Sequence, residues 1–397
     1  MPFSVGRAAE KLALFGLSTG VAIFLTTATM PPGPILPDAA ARAAAEAPPP
    51  FWSADALRDL HAELRAAVEE GLDPADYRPD ALAALALSGD RARTDDAATA
   101  AALRLAHDYA FGRVDPARLD WHIERYGPDA ESLAYGLEAA VRANRVRDWL
   151  RGLLPSDARY AALRTAYANA EAPATRDRLR ANLERWRWMP REIGADYILV
   201  NVPAYRLQLF EDGVPVATHD VIVGKPSTPT PQIAVPALSL VVNPWWSVPP
   251  SIARRMGRSA SGFDYSGGVF RQPPGPRNAL GKIKLDMPNP QLIYLHDTPA
   301  KGLFAASTRT FSNGCIRVKN MDALAADLLE LDGSSPARLR RAMAGWATRT
   351  VAFERFRPVY LVYFTAEADA DGGVTLHADP YGRDARLLAS LDKPRTA

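Results

Sequence analysis

The chain contains a single cysteine, Cys315, in the segment RTFSNGCIRVKN. If CIRV is extended, Cys315 and Arg317 share one face, because side chains alternate along a strand. A guanidinium beside a thiol favours the thiolate and could also hold a substrate carboxylate. A free cysteine is otherwise commonly a small buried hydrophobe. The polar residues Ser312 and Asn313 favour a nucleophile over that alternative, and Gly314 lets the backbone approach a ligand closely.

A cysteine nucleophile needs a base, and the chain offers six histidines. His296 ends the strand-like run LIYLH, where Tyr294 would share its face and where a histidine can face a cleft. Asp297 or a nearby backbone carbonyl could orient the ring. A Cys/His/Asp metal cluster is a weaker alternative. The other five histidines have a surface or structural interpretation: His61, His107, His122, His219 and His377.

The elements that position these residues follow from two periodicities. From Phe51 to about Trp188 apolar residues recur at helical spacing, with Ser53 as a helix N-cap. From about 195 the pattern alternates as in strands, with a hairpin turning at Asp212-Gly213. After the cysteine, the sequence predicts a helix over NMDALAADLLELDG that ends at Gly333. A final hairpin is predicted around DADGG. The sequence therefore predicts an α+β protein, with a helical domain over 51–190, a mainly β domain over 195–385 and a tail over 386–397.

The composition and the first residues limit the possible binding partners of the protein and indicate its cellular compartment. Lys+Arg number 47 against 45 Asp+Glu, so the net charge of +2 predicts no nucleic-acid partner. One cysteine excludes an internal disulfide and a multi-Cys zinc site. Residues 1–29 combine a basic start with an apolar run, which predicts a signal peptide or an N-terminal membrane anchor and hence export to the periplasm. Residues 30–50 are rich in Pro and Ala and are expected to form a linker.

The run IYLHDTP followed by RTFSNGCIRV closely resembles the catalytic domain of the YkuD-type L,D-transpeptidases, in the large periplasmic branch with an N-terminal helical scaffold domain. The resemblance implies that Cys315 is the nucleophile, that His296 is the general base, and that backbone N–H groups of Gly314 and Cys315 form an oxyanion hole. It also implies that Arg317 shapes the active site and binds a substrate carboxylate, and that Ser312 and Asn313 line the loop before Cys315. Tyr294, Asp297 and Arg309 are expected as neighbours. No metal or organic cofactor is implied.

The resemblance further implies a reaction on peptidoglycan stem peptides. The Cys315 thiolate would attack the carbonyl of the third stem residue, meso-diaminopimelate, and release the terminal D-Ala. The side-chain amine of a second stem peptide would then resolve the thioester into a 3–3 crosslink. A carbapenem should acylate the same sulfur. Three alternatives stay open: an L,D-carboxypeptidase with water as acceptor, attachment of a lipoprotein lysine to the wall, and a non-catalytic wall-binding scaffold.

Two departures from the family pattern concern substrate capture. The helical region leaves no room for the peptidoglycan-binding insert of many relatives. The segment 251–268, where larger relatives carry a substrate-capping subdomain, is short and is expected to move as a loop. A poorly covered thioester would be more open to water, so the sequence predicts a larger share of hydrolysis than in a long-capped relative. The alternative is that the helical domain covers the cleft instead.

Overall fold

The computed structural model describes residues 52–125, 127–256, 261–369 and 371–395. The predicted export segment at 1–29 and linker at 30–50 lie outside these ranges. Within them, no helix combines the length and the apolar character needed to cross a bilayer.

The helices of the described residues lie mostly in the first half of the chain. They are α1 (Ala54–Ala66), α2 (Pro79–Leu87), α3 (Arg91–Phe111), α4 (Ala130–Arg142), α5 (Val146–Gly152), α6 (Ala158–Asn169), α7 (Pro173–Arg187), α8 (Pro250–Met256), α9 (Met321–Leu331), α10 (Pro336–Ala342) and α11 (Arg383–Leu391).

The strands lie mostly in the second half. They are β1 (Trp121–His122), β2 (Tyr197–Asn201), β3 (Arg206–Glu211), β4 (Val214–Gly224), β5 (Gln232–Val242), β6 (Trp246–Ser247), β7 (Asp264–Ser266), β8 (Val269–Gln272), β9 (Ile283–Asp286), β10 (Leu295–His296), β11 (Thr310–Ser312), β12 (Ile316–Val318), β13 (Arg349–Val362), β14 (Ala366–Ala368) and β15 (Val374–Leu376).

Helix α1 begins where the sequence predicts, with Ser53 as its N-cap. The Ser53 hydroxyl accepts a hydrogen bond from the Ala56 N–H at 3.0 Å, which satisfies one of the free donors at the start of α1. Leu60 and Leu64, one turn apart on α1, are fully buried. Small side chains such as Ala102 on α3 are also fully buried. Alanine at these positions lets neighbouring helices approach closely.

The main sheet closes on itself. Its strands follow the order β5-β13-β2-β3-β4-β12-β10-β9, and β9 pairs with β5 as well as with β10. The inward side chains are apolar, so Leu285, Leu295 and Ile316 are fully buried in the core. Because side chains alternate along a strand, the neighbours of these residues point to the outer face of the barrel.

The helical domain packs on one side of this barrel. Trp186 of α7 belongs to the same buried cluster as Tyr197 of β2, Phe210 of β3 and Tyr360 of β13. Arg185 of α7 also forms a buried ion pair of 2.7 Å with Asp384. The helices therefore cover the outer faces of β2, β3 and β13, and leave the outer faces of β9, β10 and β12 to other segments.

Several predicted elements are confirmed. The hairpin β3–β4 turns at Asp212 and Gly213, whose φ values of 50° and 76° suit a hairpin turn of the right twist. Helix α9 is followed by Gly333 at φ 75°, and β14 pairs with β15 around DADGG. The α+β class predicted from the sequence is therefore confirmed.

The predicted tail over 386–397 contains regular structure instead. Helix α11 runs to Leu391, and its Leu387 and Leu391 are buried in the cluster shared with the helical domain. Arg395 continues past the helix and forms an ion pair with Asp108 of α3 at 2.5 Å. The four-residue spacing of the two leucines places them on one helix face, which explains why this segment folds.

Candidate active site

The two chemistry-bearing segments lie on adjacent parallel strands. In the β10–β12 pair, Leu295 is aligned with Ile316 and His296 with Arg317. The backbone N–H of Ile316 donates to the carbonyl of Tyr294 at 3.1 Å. Because Leu295 and Ile316 point into the core, their neighbours point outwards. Four side chains therefore share one outer face of the barrel: Tyr294, His296, Cys315 and Arg317.

The turn that presents Cys315 is held by side-chain hydrogen bonds. The Ser312 hydroxyl donates to the Cys315 carbonyl at 2.6 Å and accepts from the Gly314 N–H at 3.1 Å. Thr230 donates to the Gly314 carbonyl at 2.8 Å. Gly314 has φ 114°, and a Cβ added there would lie 3.2 Å from Cδ1 of Ile293. Only glycine adopts this conformation readily, so the position of the sulfur depends on Gly314.

The Cys315 sulfur is partly buried beside Tyr294. Both the backbone N–H and the hydroxyl of Tyr294 hydrogen-bond to it, and the Leu292 carbonyl lies 3.7 Å from it. Burial raises the pKa of Cys315, and the contacts from Tyr294 and the charges of Lys284 and Arg317 oppose that shift only in part. The Arg317 guanidinium does favour the thiolate, as the sequence indicates, but desolvation outweighs its effect and the pKa of Cys315 is raised in the resting site.

His296 is buried at 5% exposure. Its Nδ1 lies 2.5 Å from the carbonyl oxygen of Asp297, so Nδ1 carries the proton and donates. The pKa of His296 is lowered to about 4, chiefly by burial and to a lesser extent by the charge of Arg317, while hydrogen bonds to the backbone oxygens of Asp297 and Leu280 oppose the shift. At neutral pH the ring is therefore uncharged, with Nε2 able to accept a proton.

Asp297 orients the ring through its backbone and uses its carboxylate elsewhere. The carboxylate accepts from the Lys282 N–H at 3.0 Å and pairs with the ammonium of Lys301. Gly281, at φ 63°, passes so close that an added Cβ would collide with the Asp297 carboxyl group. This carboxylate thus braces the turn beside His296.

Two cations line the same outer face. Arg317 is partly buried, burial lowers its pKa, and in the described ranges it forms no ion pair with a carboxylate. Lys284 is aligned with His296 on the other side, lies 4.8 Å from the centre of the Tyr294 ring, and pairs with Asp286 at 3.0 Å. A partly desolvated guanidinium beside a nucleophile is suited to bind a carboxylate.

The remaining predicted neighbours differ in position. Arg309 donates to the carbonyls of Tyr205 and Val221 at 3.0 and 3.1 Å and pairs with Asp220 at 3.1 Å. Its guanidinium therefore ties the segment before β11 to the β3–β4 hairpin. Asn313 is exposed at the turn before Cys315.

The segment 251–268 contains more structure than a mobile loop. It includes α8 and β7, and β7 pairs with β8, which in turn pairs with β6. We call this three-stranded sheet the cap. The Trp246 indole of β6 hydrogen-bonds to the hydroxyl of Tyr294, so the cap touches the nucleophile's neighbour. The sequence of the segment alone does not reveal this sheet, because the other two strands, β6 and β8, lie outside residues 251–268.

Sequence reasoning missed Trp246 and Lys284. The run NPWWSVPPS places a tryptophan before a proline-rich turn, and Lys284 alternates with Ile283 and Leu285 along β9. Neither pattern reveals which strand lies next to β10. As for metals, the described part of the chain holds no group of three or more His, Cys, Asp or Glu side chains arranged to bind an ion.

Comparisons with known proteins agree on the domain types. Residues 195–332 match the family model "L,D-transpeptidase catalytic domain" of the YkuD type, and residues 44–166 match a "Scaffold domain" model. A Haemophilus influenzae protein named "Putative L,D-transpeptidase" is 29% identical over 290 residues, which are 64% of this chain and 58% of that protein. The chain thus matches less than two thirds of this relative's length.

Two solved structures resemble the chain weakly. The catalytic domain of the Enterococcus faecium L,D-transpeptidase acylated by ertapenem is 14% identical, with 43% of this chain and 99% of that one covered and a TM-score of 0.25. L,D-transpeptidase 3 from Mycobacterium tuberculosis is 14% identical, with 42% and 61% covered and a TM-score of 0.26. Because these TM-scores are too low to support an argument, the domain types rest on the sequence matches alone.

Proposed function

Because the chain carries an L,D-transpeptidase catalytic domain of the YkuD family behind a scaffold domain, we propose that it joins peptidoglycan stem peptides in 3–3 crosslinks through a Cys315 thioester. The observation that carries this proposal is the pairing of β10 with β12, since His296 ends β10 and Cys315 immediately precedes β12 on the same outer face. Peptidoglycan lies outside the inner membrane, so we propose that the protein acts in the periplasm.

The first half of the reaction forms the thioester. The thiol proton passes from Sγ of Cys315 to Nε2 of His296 as sulfur bonds to the carbonyl carbon of the third stem residue. The bond from that carbon to the nitrogen of the terminal D-Ala then breaks, and the leaving amine takes the proton from the imidazolium. The acyl group stays on sulfur, and neutral His296 is regenerated.

The second half transfers the acyl group. The side-chain amine of another stem peptide attacks the thioester carbon and gives a proton to Nε2 of His296. The carbon–sulfur bond breaks, and the thiolate recovers its proton from the imidazolium. Water in place of the amine gives a tripeptide.

The resting protonation of the pair suits this sequence. A neutral imidazole is ready to accept a proton, and a thiol that loses its proton only during attack avoids a buried charge in the free enzyme. The carbonyl oxygens of Asp297 and Leu280 favour the charged ring. They would therefore stabilise the imidazolium during each proton transfer.

Backbone and side-chain donors complete the site. The Gly314 N–H is engaged by Ser312, so we assign the oxyanion to the N–H of Cys315. Arg317 would bind a carboxylate of the donor stem, since it lies beside the sulfur without a carboxylate partner among the described residues.

Incubation of the purified protein with a disaccharide-tetrapeptide, followed by mass spectrometry, tests the proposal. We expect a crosslinked dimer with loss of one D-Ala, and no dimer from Cys315→Ala. Tripeptide alone would instead identify a carboxypeptidase, and unchanged substrate a non-catalytic scaffold. Adding a lysine-terminated peptide tests the lipoprotein alternative. The ratio of tripeptide to dimer, beside a long-capped relative, tests the predicted excess of hydrolysis.

A further inference from the structure

The cap gathers aromatic side chains on one of its two faces. Trp246 is aligned with Gln272, and Tyr265 with Phe270, so these side chains lie on the same side of the small sheet. The rings of Tyr265 and Phe270 are 4.7 Å apart, and those of Trp246 and Phe263 are 6.2 Å apart. We call the four rings the aromatic face.

The aromatic face is open at its Tyr265 end, and the cap strands present no charged side chain on that side. Tyr265 is 65% exposed, and the other three rings are partly buried. The charged residues of the same strands, Arg271 and Asp264, are aligned with each other on the opposite side. Open aromatic surface is costly in water, which indicates a ligand that covers it.

The aromatic face continues into the proposed active site. Trp246 at its inner edge hydrogen-bonds to the hydroxyl of Tyr294, and that hydroxyl hydrogen-bonds to the Cys315 sulfur. Tyr265 lies at the exposed end of the same face. A substrate whose reacting carbonyl is at the sulfur could therefore extend along the rings.

We propose that the aromatic face binds a sugar ring of the glycan strand that carries the donor stem peptide, an inference that rests on the proposed function. The stem peptide bears carboxylates, and the cations that suit them, Arg317 and Lys284, lie on the barrel. The sugars are the uncharged part of the substrate. The C–H groups on one face of a pyranose ring pack well against the negative face of an aromatic ring.

The size of the aromatic face argues for a sugar over a protein partner. A stable protein interface buries about 800 Å² on each partner. Four rings on a three-stranded sheet offer much less, but they are enough to cover one or two sugar rings. One hydrogen-bond partner for a sugar hydroxyl is also present, the Tyr265 hydroxyl at the exposed end.

The first experiment compares two donors that differ only in the sugar. We expect the wild type to use disaccharide-tetrapeptide with a higher kcat/KM than free tetrapeptide. Tyr265→Ala and Phe270→Ala should each lower kcat/KM for the disaccharide donor by roughly 3- to 10-fold, the size of one aromatic contact. Their kcat/KM for free tetrapeptide should not change. Equal losses on both donors, or no loss on either, would overturn the proposal.

A matched control removes an aromatic ring from the other side of the cap. Trp245 precedes Trp246, and its ring centre lies 5.6 Å from Cζ of Arg271. Because Arg271 lies on the opposite side of the cap, Trp245 lies away from the aromatic face. Trp245→Ala should keep the preference for the disaccharide donor. If it lost that preference as Tyr265→Ala does, a general loosening of the cap would explain both effects.

A binding measurement separates this inference from the proposed function. Peptide-free disaccharide is titrated into the full chain carrying Cys315→Ala, and the Trp246 indole signal is followed by NMR. The signal should shift, and the added Tyr265→Ala change should weaken the affinity by the same 3- to 10-fold. This readout needs no turnover, so it stands even if both donors prove unreactive. An unshifted Trp246 signal at saturating disaccharide would refute the sugar site.

Discussion

The backbone oxygen of Asp297 lies 2.5 Å from Nδ1 of His296 and fixes the orientation of the ring. A carbonyl oxygen does not titrate, so this hydrogen bond keeps the same donor and acceptor over the whole working pH range. It also leaves Nε2 as the nitrogen that exchanges protons with the substrate.

The role of His296 can be measured by acylation. His296→Gln keeps a polar side chain of similar size but removes the base, so we expect carbapenem acylation to slow by roughly 10² to 10⁴-fold. Rates from time-resolved intact-protein mass spectrometry give the comparison. The matched control is His219→Gln, because His219 is also buried and its Nδ1 lies 3.1 Å from the Lys319 carbonyl. An unchanged rate in the His296 variant would mean that another group activates the sulfur.

The depressed pKa of His296 predicts a pH-dependent stability. The folded state holds this pKa at about 4, whereas an unfolded histidine titrates near ~6.5. Between these values the unfolded chain binds the extra proton, so the free energy of unfolding should fall as pH falls, by about 3 kcal/mol in total. Urea unfolding at several pH values tests this. The His296→Gln variant should lose less stability over the same range, and parallel curves for the two proteins would contradict the assignment.

Cys315 should be the one residue that a carbapenem labels. Ertapenem carries a strained amide that mimics the donor carbonyl, and Cys315 is the chain's only cysteine. Intact-protein mass spectrometry should show one adduct on the wild type. The Cys315→Ala variant should show no adduct while keeping the wild-type melting temperature. An adduct on that variant would place the nucleophile elsewhere.

The Tyr294 hydroxyl should set how readily the sulfur ionises. Its hydrogen bond lowers the pKa of Cys315, in opposition to burial. Tyr294→Phe removes this bond and should move the pH profile of iodoacetamide alkylation to higher pH. Trp246→Phe, which loses only the indole donor to the hydroxyl, should shift it less. A profile that stays in place in both variants would show that Tyr294 does not control ionisation.

Arg317 should recognise a carboxylate rather than act on the sulfur alone. Arg317→Gln should raise KM for the tetrapeptide donor by roughly 10-fold or more, since one charge-assisted hydrogen bond is worth about 1.5–3 kcal/mol. A donor with its diaminopimelate carboxylate amidated should bind the wild type more weakly and show no further loss with Arg317→Gln. If the variant weakened both donors equally, Arg317 would act through the fold or the thiolate instead.

The sequence could predict which side chains share a face but not which strands lie together. Alternation along LIYLH and CIRV pairs Tyr294 with His296 and Cys315 with Arg317. The register between β10 and β12 brings these two pairs of side chains together. That register depends on backbone pairing between distant segments, which no local sequence pattern encodes. For the same reason Trp246 was missed, since the cap contacts the site across strands distant in sequence.

Burial and long-range contacts account for the other differences. The local sequence shows an arginine near Cys315 and suggests a thiolate, but desolvation by the surrounding fold reverses the balance. Arg309 lies near the motif, yet its partners come from the β3–β4 hairpin. Helix α11 folds because the helical domain offers an apolar surface to its leucines.

The closure of the barrel between β5 and β9 allows the cap to vary in length. Val242 of β5 is paired directly with Ile283 of β9, so everything over 243–282 is the connection of a single hairpin. The entropy lost on closing a loop grows only with the logarithm of its length, and each doubling costs about 0.6 kcal/mol. Residues can therefore be added to or removed from this connection without breaking a barrel pairing. What covers the nucleophile can change at little cost to the strands that hold it.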